Sequence, residues 1–186
     1  VSSASAALSF SATGLPPGLK ISSAGLVTGV PTTTGTSHVA VAVDDAKGAY
    51  RAASFSWAVT TATGHLKGDH GLCARLNRSS TASGTKVVIW SCYTTASEQW
   101  TLGSGGALSA GGKCLTDPHS GGPGTGLVIE PCARASSQQW WRTLKGQYVL
   151  ALNHLCLTDP GASTTAGTEL KLGACITGSA DVWSVP

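Results

Sequence analysis

Charge is scarce in this 186-residue chain. Only 11% of its residues are charged, against about 25% in an average globular protein. The net charge is +3, with no run of Lys or Arg, so the concentrated basic patch of a nucleic-acid binder is missing. No apolar run approaches the roughly 18 to 20 residues that cross a bilayer, and no membrane partner is expected. No G-x-S-x-G elbow occurs. The nine acidic residues are scattered over turns and offer no catalytic pair, so the chain is read as not an enzyme. No C-x-x-C pair exists, which argues against a zinc site; no metal and no cofactor are expected. No leader peptide opens the sequence.

What is present points outside the cell. Six cysteines, an even number, suit an exported protein with disulfides. A secreted, extracellular chain whose leader has been removed, or a piece of a longer secreted chain, is therefore expected.

The cysteines divide the sequence. Residues 1–60 have none, and the remainder has all six. The first part contains the strand-like segments "LSFSA", "LKIS", "GLVTG", "SHVAVAVD" and "AASFSWAV". Val39, Val41 and Val43 alternate with other residues, as do Phe55, Trp57 and Val59, the period of a half-buried strand. "GLPPGL" and "VPTTTG" supply turns. "VDDAKG", Val43 to Gly48, reads as a hairpin turn rather than a calcium loop. The small-residue stretch "TTATG" marks a boundary, with a linker expected at 61–64.

The phrase "SATGLPPGLKISSAGLVTGVPTTTGTSHVAVAVDDAKG" resembles the Ig-like, cadherin-like modules of secreted bacterial enzymes. The resemblance implies an Ig-like sandwich, but such folds take about 100 residues. The first 60 are therefore read as a truncated module, with an unpaired sheet edge near "LSFSA" and with Val1 as a boundary rather than a natural start.

The second part repeats itself. "IWSCYTTASEQW", "IEPCARASSQQW" and "LGACITGSADVW" place a Trp eight residues after a Cys each time, at Trp100, Trp140 and Trp183. Gly84-Thr85, Gly124-Thr125 and Gly167-Thr168 precede those cysteines in register. The second cysteines recur at spacings of 40 and 43 residues, a repeat scale that decides architecture. One unit of four short strands cannot bury its Trp alone. Three units close a six-stranded barrel capped by hairpins, which removes exposed sheet edges. The expected fold is thus all-β, with a three-repeat β-trefoil over residues 65–186. Strands are expected from Leu66-Lys67 through Val182-Val185, and the three Trp residues in its core.

The repeated phrase resembles the ricin-B-type β-trefoil lectins. One disulfide per repeat is expected: Cys73–Cys92, Cys114–Cys132 and Cys156–Cys175. The resemblance implies a sugar pocket in each repeat. It is built from an Asp two residues after the first Cys, an aromatic two before the second, and an Asn-Gln pair ahead of the Trp. A stacked aromatic with fixed polar groups suits a pyranose, which has a polar rim and C–H faces.

In this sequence those positions are changed. The first copy has Arg75, Trp90 and Ser97-Glu98. The second has Thr116, Glu130 and Ser137-Gln138, with Asp117 one place late. The third has Thr158, Gly173 and Ala180-Asp181, with Asp159 one place late. Candidate sugar contacts are therefore Trp90, Arg75, Glu98, Asp117, Gln138 and Asp159.

Each has a second reading. Trp90 is a stacking platform or a surface aromatic. Asp117 and Asp159 bind sugar or hold their "LTDP" turns. Arg75 and Glu98 form a local ion pair or receive an acidic sugar. Asn77-Arg78-Ser79 fits a glycosylation sequon, relevant in a eukaryotic host.

The sequence is read as the non-catalytic, glycan-binding accessory region of a secreted bacterial protein. It would target a preceding catalytic domain, a hydrolase, to a polysaccharide or glycoprotein. The alternative is a structural or protein-interaction appendage, inhibitor-like modules included, whose sugar pockets have degenerated.

Overall fold

The computed structural model describes residues 8–176 and 178–184. The first seven residues of the expected Ig-like module and the expected strand end at Val185 lie outside them. The chain forms two compact units, Val1–Thr60 and Thr61–Pro186.

In the first unit, β1 (Leu8–Thr13), β4 (Gly35–Asp45) and β5 (Tyr50–Val59) form an antiparallel sheet in the order β1-β4-β5. A hairpin of β2 (Leu19–Ile21) and β3 (Val27–Gly29) accompanies it. The expected alternation is real. Phe10 pairs with Val43, and Val39 with Phe55, so the large apolar side chains share one face. Val39 is buried. Phe55 nevertheless stays 48% exposed, because among the described residues only the short β2–β3 hairpin provides a second layer. The "VDDAKG" turn is held by Asp45, whose Oδ1 accepts the backbone N–H groups of Lys47 (2.9 Å) and Ala49 (2.8 Å).

The second unit is a β-trefoil. Its first repeat comprises β6 (Ala62–His65), β7 (Lys67–Gly68), β8 (Leu72–Leu76), β9 (Thr85–Ser91) and β10 (Gln99–Leu102). The second comprises β11 (Leu108–Ala110), β12 (Lys113–Thr116), β13 (Val128–Glu130) and β14 (Trp140–Arg142). The third comprises β15 (Tyr148–Leu150), β16 (Cys156–Thr158), β17 (Lys171–Gly173) and β18 (Trp183–Ser184).

Six strand positions make the barrel. β6 pairs with β10, β10 with β11, and β14 with β15. The bridges Ala107–Gln139 and Gln147–Val182 supply two further seams. Pairing of β18 with β7 closes the ring. One expectation is corrected: most of the presumed linker is barrel strand, with Thr63 opposite Thr101 and Gly64 opposite Trp100. Nothing in the local composition makes "ATGH" a strand; its partner β10 does.

Three hairpins, β8–β9, β12–β13 and β16–β17, cap the barrel. Their strands meet about a triangle of hydrogen bonds. Val87 N–H donates to Leu127, Leu127 N–H to Leu170, and Leu170 N–H to Val87, at 3.1, 3.0 and 2.9 Å. The Gly-Thr pairs serve the same joint. The N–H groups of Gly84, Gly124 and Gly167 donate to the carbonyls of Ile129, Leu172 and Ile89, each in another repeat. Their φ angles of 78°, 92° and 93° are left-handed, which is why glycine recurs there.

Each repeat carries its own disulfide, Cys73–Cys92, Cys114–Cys132 and Cys156–Cys175. Trp100, Trp140 and Trp183 lie in one core with Leu66, Ile89, Leu115, Leu127, Leu157 and Leu172.

Candidate functional site

Each capping hairpin sets the residue two before the second Cys directly across from the first Cys. Trp90 stands opposite Cys73, Glu130 opposite Cys114, and Gly173 opposite Cys156. Only the first of these is aromatic.

In the third repeat, a Cβ placed on Gly173 would lie 2.7 Å from Thr158 Oγ1. Thr158 has leaned into the space a platform would need. That position is closed.

The first repeat is open. Trp90 is 37% exposed and lines a shallow pocket of about 270 Å³ with Arg75, Asn77, Arg78 and Val88. Arg75 is fixed from three sides. Its guanidinium lies over the Trp90 ring, 5.5 Å from the centroid. Its Nη2 donates to Ser79 Oγ at 2.9 Å, and its Nε lies 3.6 Å from Glu98 Oε1. The left-handed backbone at Arg78 and Ser79, with φ of 54° and 55°, turns the chain so that Ser79 faces Arg75 and Asn77 and Arg78 reach the rim. Asn77, Arg78 and Val88 are not among the candidates that the sequence offers. The signal for Asn77 and Arg78 is position, since "NRS" follows β8 directly, and that for Val88 is its place opposite Arg75.

Glu98 sits beneath this pocket, 0% exposed. Its carboxylate faces Arg75, lies 4.0 Å from His65 Nε2 and accepts the N–H of Tyr93. It is a support for the pocket rather than part of its surface.

The other two repeats reveal what the Glu98 position is for. Gln138 Oε1 accepts the N–H of Ala133 at 2.7 Å, and Asp181 Oδ2 accepts that of Ile176 at 2.8 Å. In every copy, an oxygen-bearing side chain two residues before the Trp ties down the residue following the second Cys. Gln138 also donates to Thr116 Oγ1 and to the Pro131 carbonyl, both at 2.9 Å. Its amide is fully engaged inside the fold.

Asp117 and Asp159 are likewise buried. Asp117 Oδ1 accepts the N–H groups of His119 and Gly121, each at 3.2 Å, as a carboxylate closing its own turn does. Burial pushes the Asp159 carboxyl above its ordinary value, against the opposing pull of the Ser163 backbone N–H and of His70. Of the six sequence candidates, the structure thus places Trp90 and Arg75 at one accessible pocket with Glu98 below. Gln138, Asp117 and Asp159 are internal.

The model of the ricin-type beta-trefoil lectin domain matches residues 62–185, and that of the "Putative Ig domain" matches residues 1–60. Nigrin b of Sambucus nigra is 27% identical over 128 residues, which are 68% of this chain and 22% of that protein. The chain thus spans about a fifth of that relative's length. A non-toxic homologue of type II ribosome-inactivating proteins from Momordica charantia was solved in complex with α-methyl-D-galactoside. It superposes with a TM-score of 0.61 at 25% identity, covering 68% of this chain and 48% of that one. A designed three-fold symmetric protein superposes with a TM-score of 0.61 at 23% identity, covering 66% of this chain and 96% of its own.

Proposed function

Since the chain belongs to the ricin-type β-trefoil lectin family through residues 62–185, we propose that it binds glycans through the first-repeat pocket and performs no catalysis of its own. The observation that carries this reading is the exposed Trp90 ring on a pocket of about 270 Å³, in a chain whose similar structure holds a galactoside. The chemistry is stacking of a sugar's C–H face on the indole, with polar contacts from Asn77 and the two arginines.

One small pocket sets a low ceiling. A stacked ring removes about 100 to 150 Å² of apolar surface from water, or roughly 2.5 to 4 kcal/mol at about 25 cal/mol per Å². Loss of translational and rotational freedom offsets much of this, so affinity near millimolar is expected. That strength suits a tethering module, which keeps an attached catalytic domain near an insoluble substrate at high effective concentration. We read the Ig-like unit as a spacer and the parent as a secreted bacterial hydrolase. The three disulfides support the secreted setting.

Two observations favour a second reading. The Arg75 guanidinium already lies over Trp90, and the other two repeats lack a platform, as expected of a trefoil retained as a structural or interaction appendage.

Retention on insoluble polysaccharides and glycoproteins, with wild type and Trp90→Ala compared, separates the two. Glycan binding is expected for wild type and its loss for the variant, with stability held within about 1 kcal/mol. Wild-type binding unchanged in Trp90→Ala would move the site elsewhere. No retention of wild type on any glycan would leave the appendage.

A further inference from the structure

The first-repeat pocket has the reverse of the usual polarity for gripping neutral sugar hydroxyls through a carboxylate. Where a fixed acceptor would stand, there is Arg75, and Arg78 lines the same pocket. Among the described residues lining it, none is acidic. Glu98 lies behind Arg75 and has no exposed surface. Across an isolated bridge from Val88, Glu169 is bound by Lys86 at 3.0 Å.

Arg75 is held rather than wandering. One hydrogen bond to Ser79, the nearby Glu98 carboxylate and the Trp90 ring restrict its plane before a ligand arrives. A guanidinium presented in a fixed plane is the side chain best matched to a planar oxyanion. The exposed Arg78 guanidinium supplies a second, adjustable donor at the rim.

From this we infer that the pocket selects an anionic saccharide, one bearing a carboxylate or a sulfate. The sugar ring lies against the part of Trp90 that Arg75 leaves exposed, and the oxyanion sits between Arg75 and Arg78. This deepens the lectin reading above and rests on it.

The test is titration calorimetry on the full chain with three probes: a galacturonate trisaccharide, its fully methyl-esterified neutral counterpart, and a sulfated galactose trisaccharide. At least one anionic probe is expected to bind about tenfold or more tightly than the neutral one, and the arm that binds identifies the oxyanion. Shortening the Debye length from about 30 Å to about 8 Å with salt should narrow that gap. Arg78→Gln removes the charge and leaves a shorter polar side chain, and should abolish most of the preference. Arg78→Lys should retain part of it. Melting temperatures of both variants report whether the fold is intact. Arg75 is left unchanged, because its removal strands the buried Glu98 carboxylate.

Neutral and anionic probes binding equally, or no effect of Arg78→Gln in a folded protein, would overturn the anionic selectivity and leave glycan binding standing. No binding of any saccharide would remove both.

Discussion

The indole Nε1 of Trp183 donates to the carbonyl of Leu157 at 3.0 Å. The same bond joins Trp100 to Ala74 at 2.8 Å and Trp140 to Leu115 at 3.1 Å. In each repeat the Trp at the end of the unit is locked to the residue following that unit's first Cys. Indole and acceptor lie 26, 25 and 26 residues apart in the three repeats, so the hairpin between them absorbs a one-residue change without losing the buried bond.

Replacing any one of these tryptophans with Phe should cost about 2 to 4 kcal/mol, from lost volume plus a buried carbonyl left unsatisfied. Urea unfolding of Trp100→Phe, Trp140→Phe and Trp183→Phe should give losses of similar size. A neutral effect at one site would show that repeat to be loosely packed.

Gln138→Leu removes the acceptor for Ala133 and the donor to Thr116 and Pro131. It should destabilise by about 2 to 3 kcal/mol while leaving glycan binding at the first repeat unchanged. Gln138→Glu keeps the acceptor but sets a carboxylate oxygen against the Pro131 carbonyl, so it should also destabilise. If instead Gln138→Leu lost sugar and kept its stability, the residue would belong to a site.

Burial pushes the Tyr148 hydroxyl up from 10.0 to about 12, and among the described residues that hydroxyl has no hydrogen-bond partner. A raised folded value means the folded state holds the proton more tightly than the unfolded one. Stability is therefore constant below about pH 10 and falls as pH rises from there towards 12. Tyr148→Phe should remove that alkaline loss and raise stability at neutral pH by up to about 1 kcal/mol. Alkaline melting curves of the two proteins decide it.

For Asp159 the sign is the same in the acid range. Its carboxyl is raised, chiefly by burial, so the folded state binds the proton more tightly. Its contribution makes the protein less stable as pH climbs through the carboxylate range. Asp159→Asn keeps an acceptor for the Ser163 N–H and should flatten that part of the profile, raising stability near neutrality. A variant less stable than wild type at pH 7 would show the negative charge to be needed by its neighbours, His70 among them.

The features legible in the sequence were those repeated with the same residue type. Cys, Gly-Thr and Trp recur unchanged, and they specify the disulfides, the left-handed turns of the cap and the core. The buried acceptor two residues before each Trp recurs as Glu98, Gln138 and Asp181, three different residues sharing only an oxygen. Compared by identity, the position reads as sugar chemistry decaying from copy to copy. Compared by hydrogen-bonding capacity it is invariant. The strand at Ala62–His65 was illegible for another reason: its pairing partner is 34 to 40 residues away in β10, and no local pattern announces it. The pocket rim at Asn77 and Arg78 depends on two consecutive left-handed residues, neither of them Gly, Asn or Asp.

The triangle of hydrogen bonds among Val87, Leu127 and Leu170 has an order of completion imposed by the direction of synthesis. Val87 waits as a donor until Leu127 is made, and as an acceptor until Leu170 is made. For roughly 4 to 17 seconds, at about 5 to 20 residues per second, a nascent chain holds an incomplete cap. An N–H and a carbonyl at its centre are then free to pair with the wrong strand. A ribosome that stalls between the second and third repeats would therefore release a species with two exposed hairpin faces and a marked tendency to capture its own copies. The last repeat, the poorest in ligand chemistry, is the one that ends this interval.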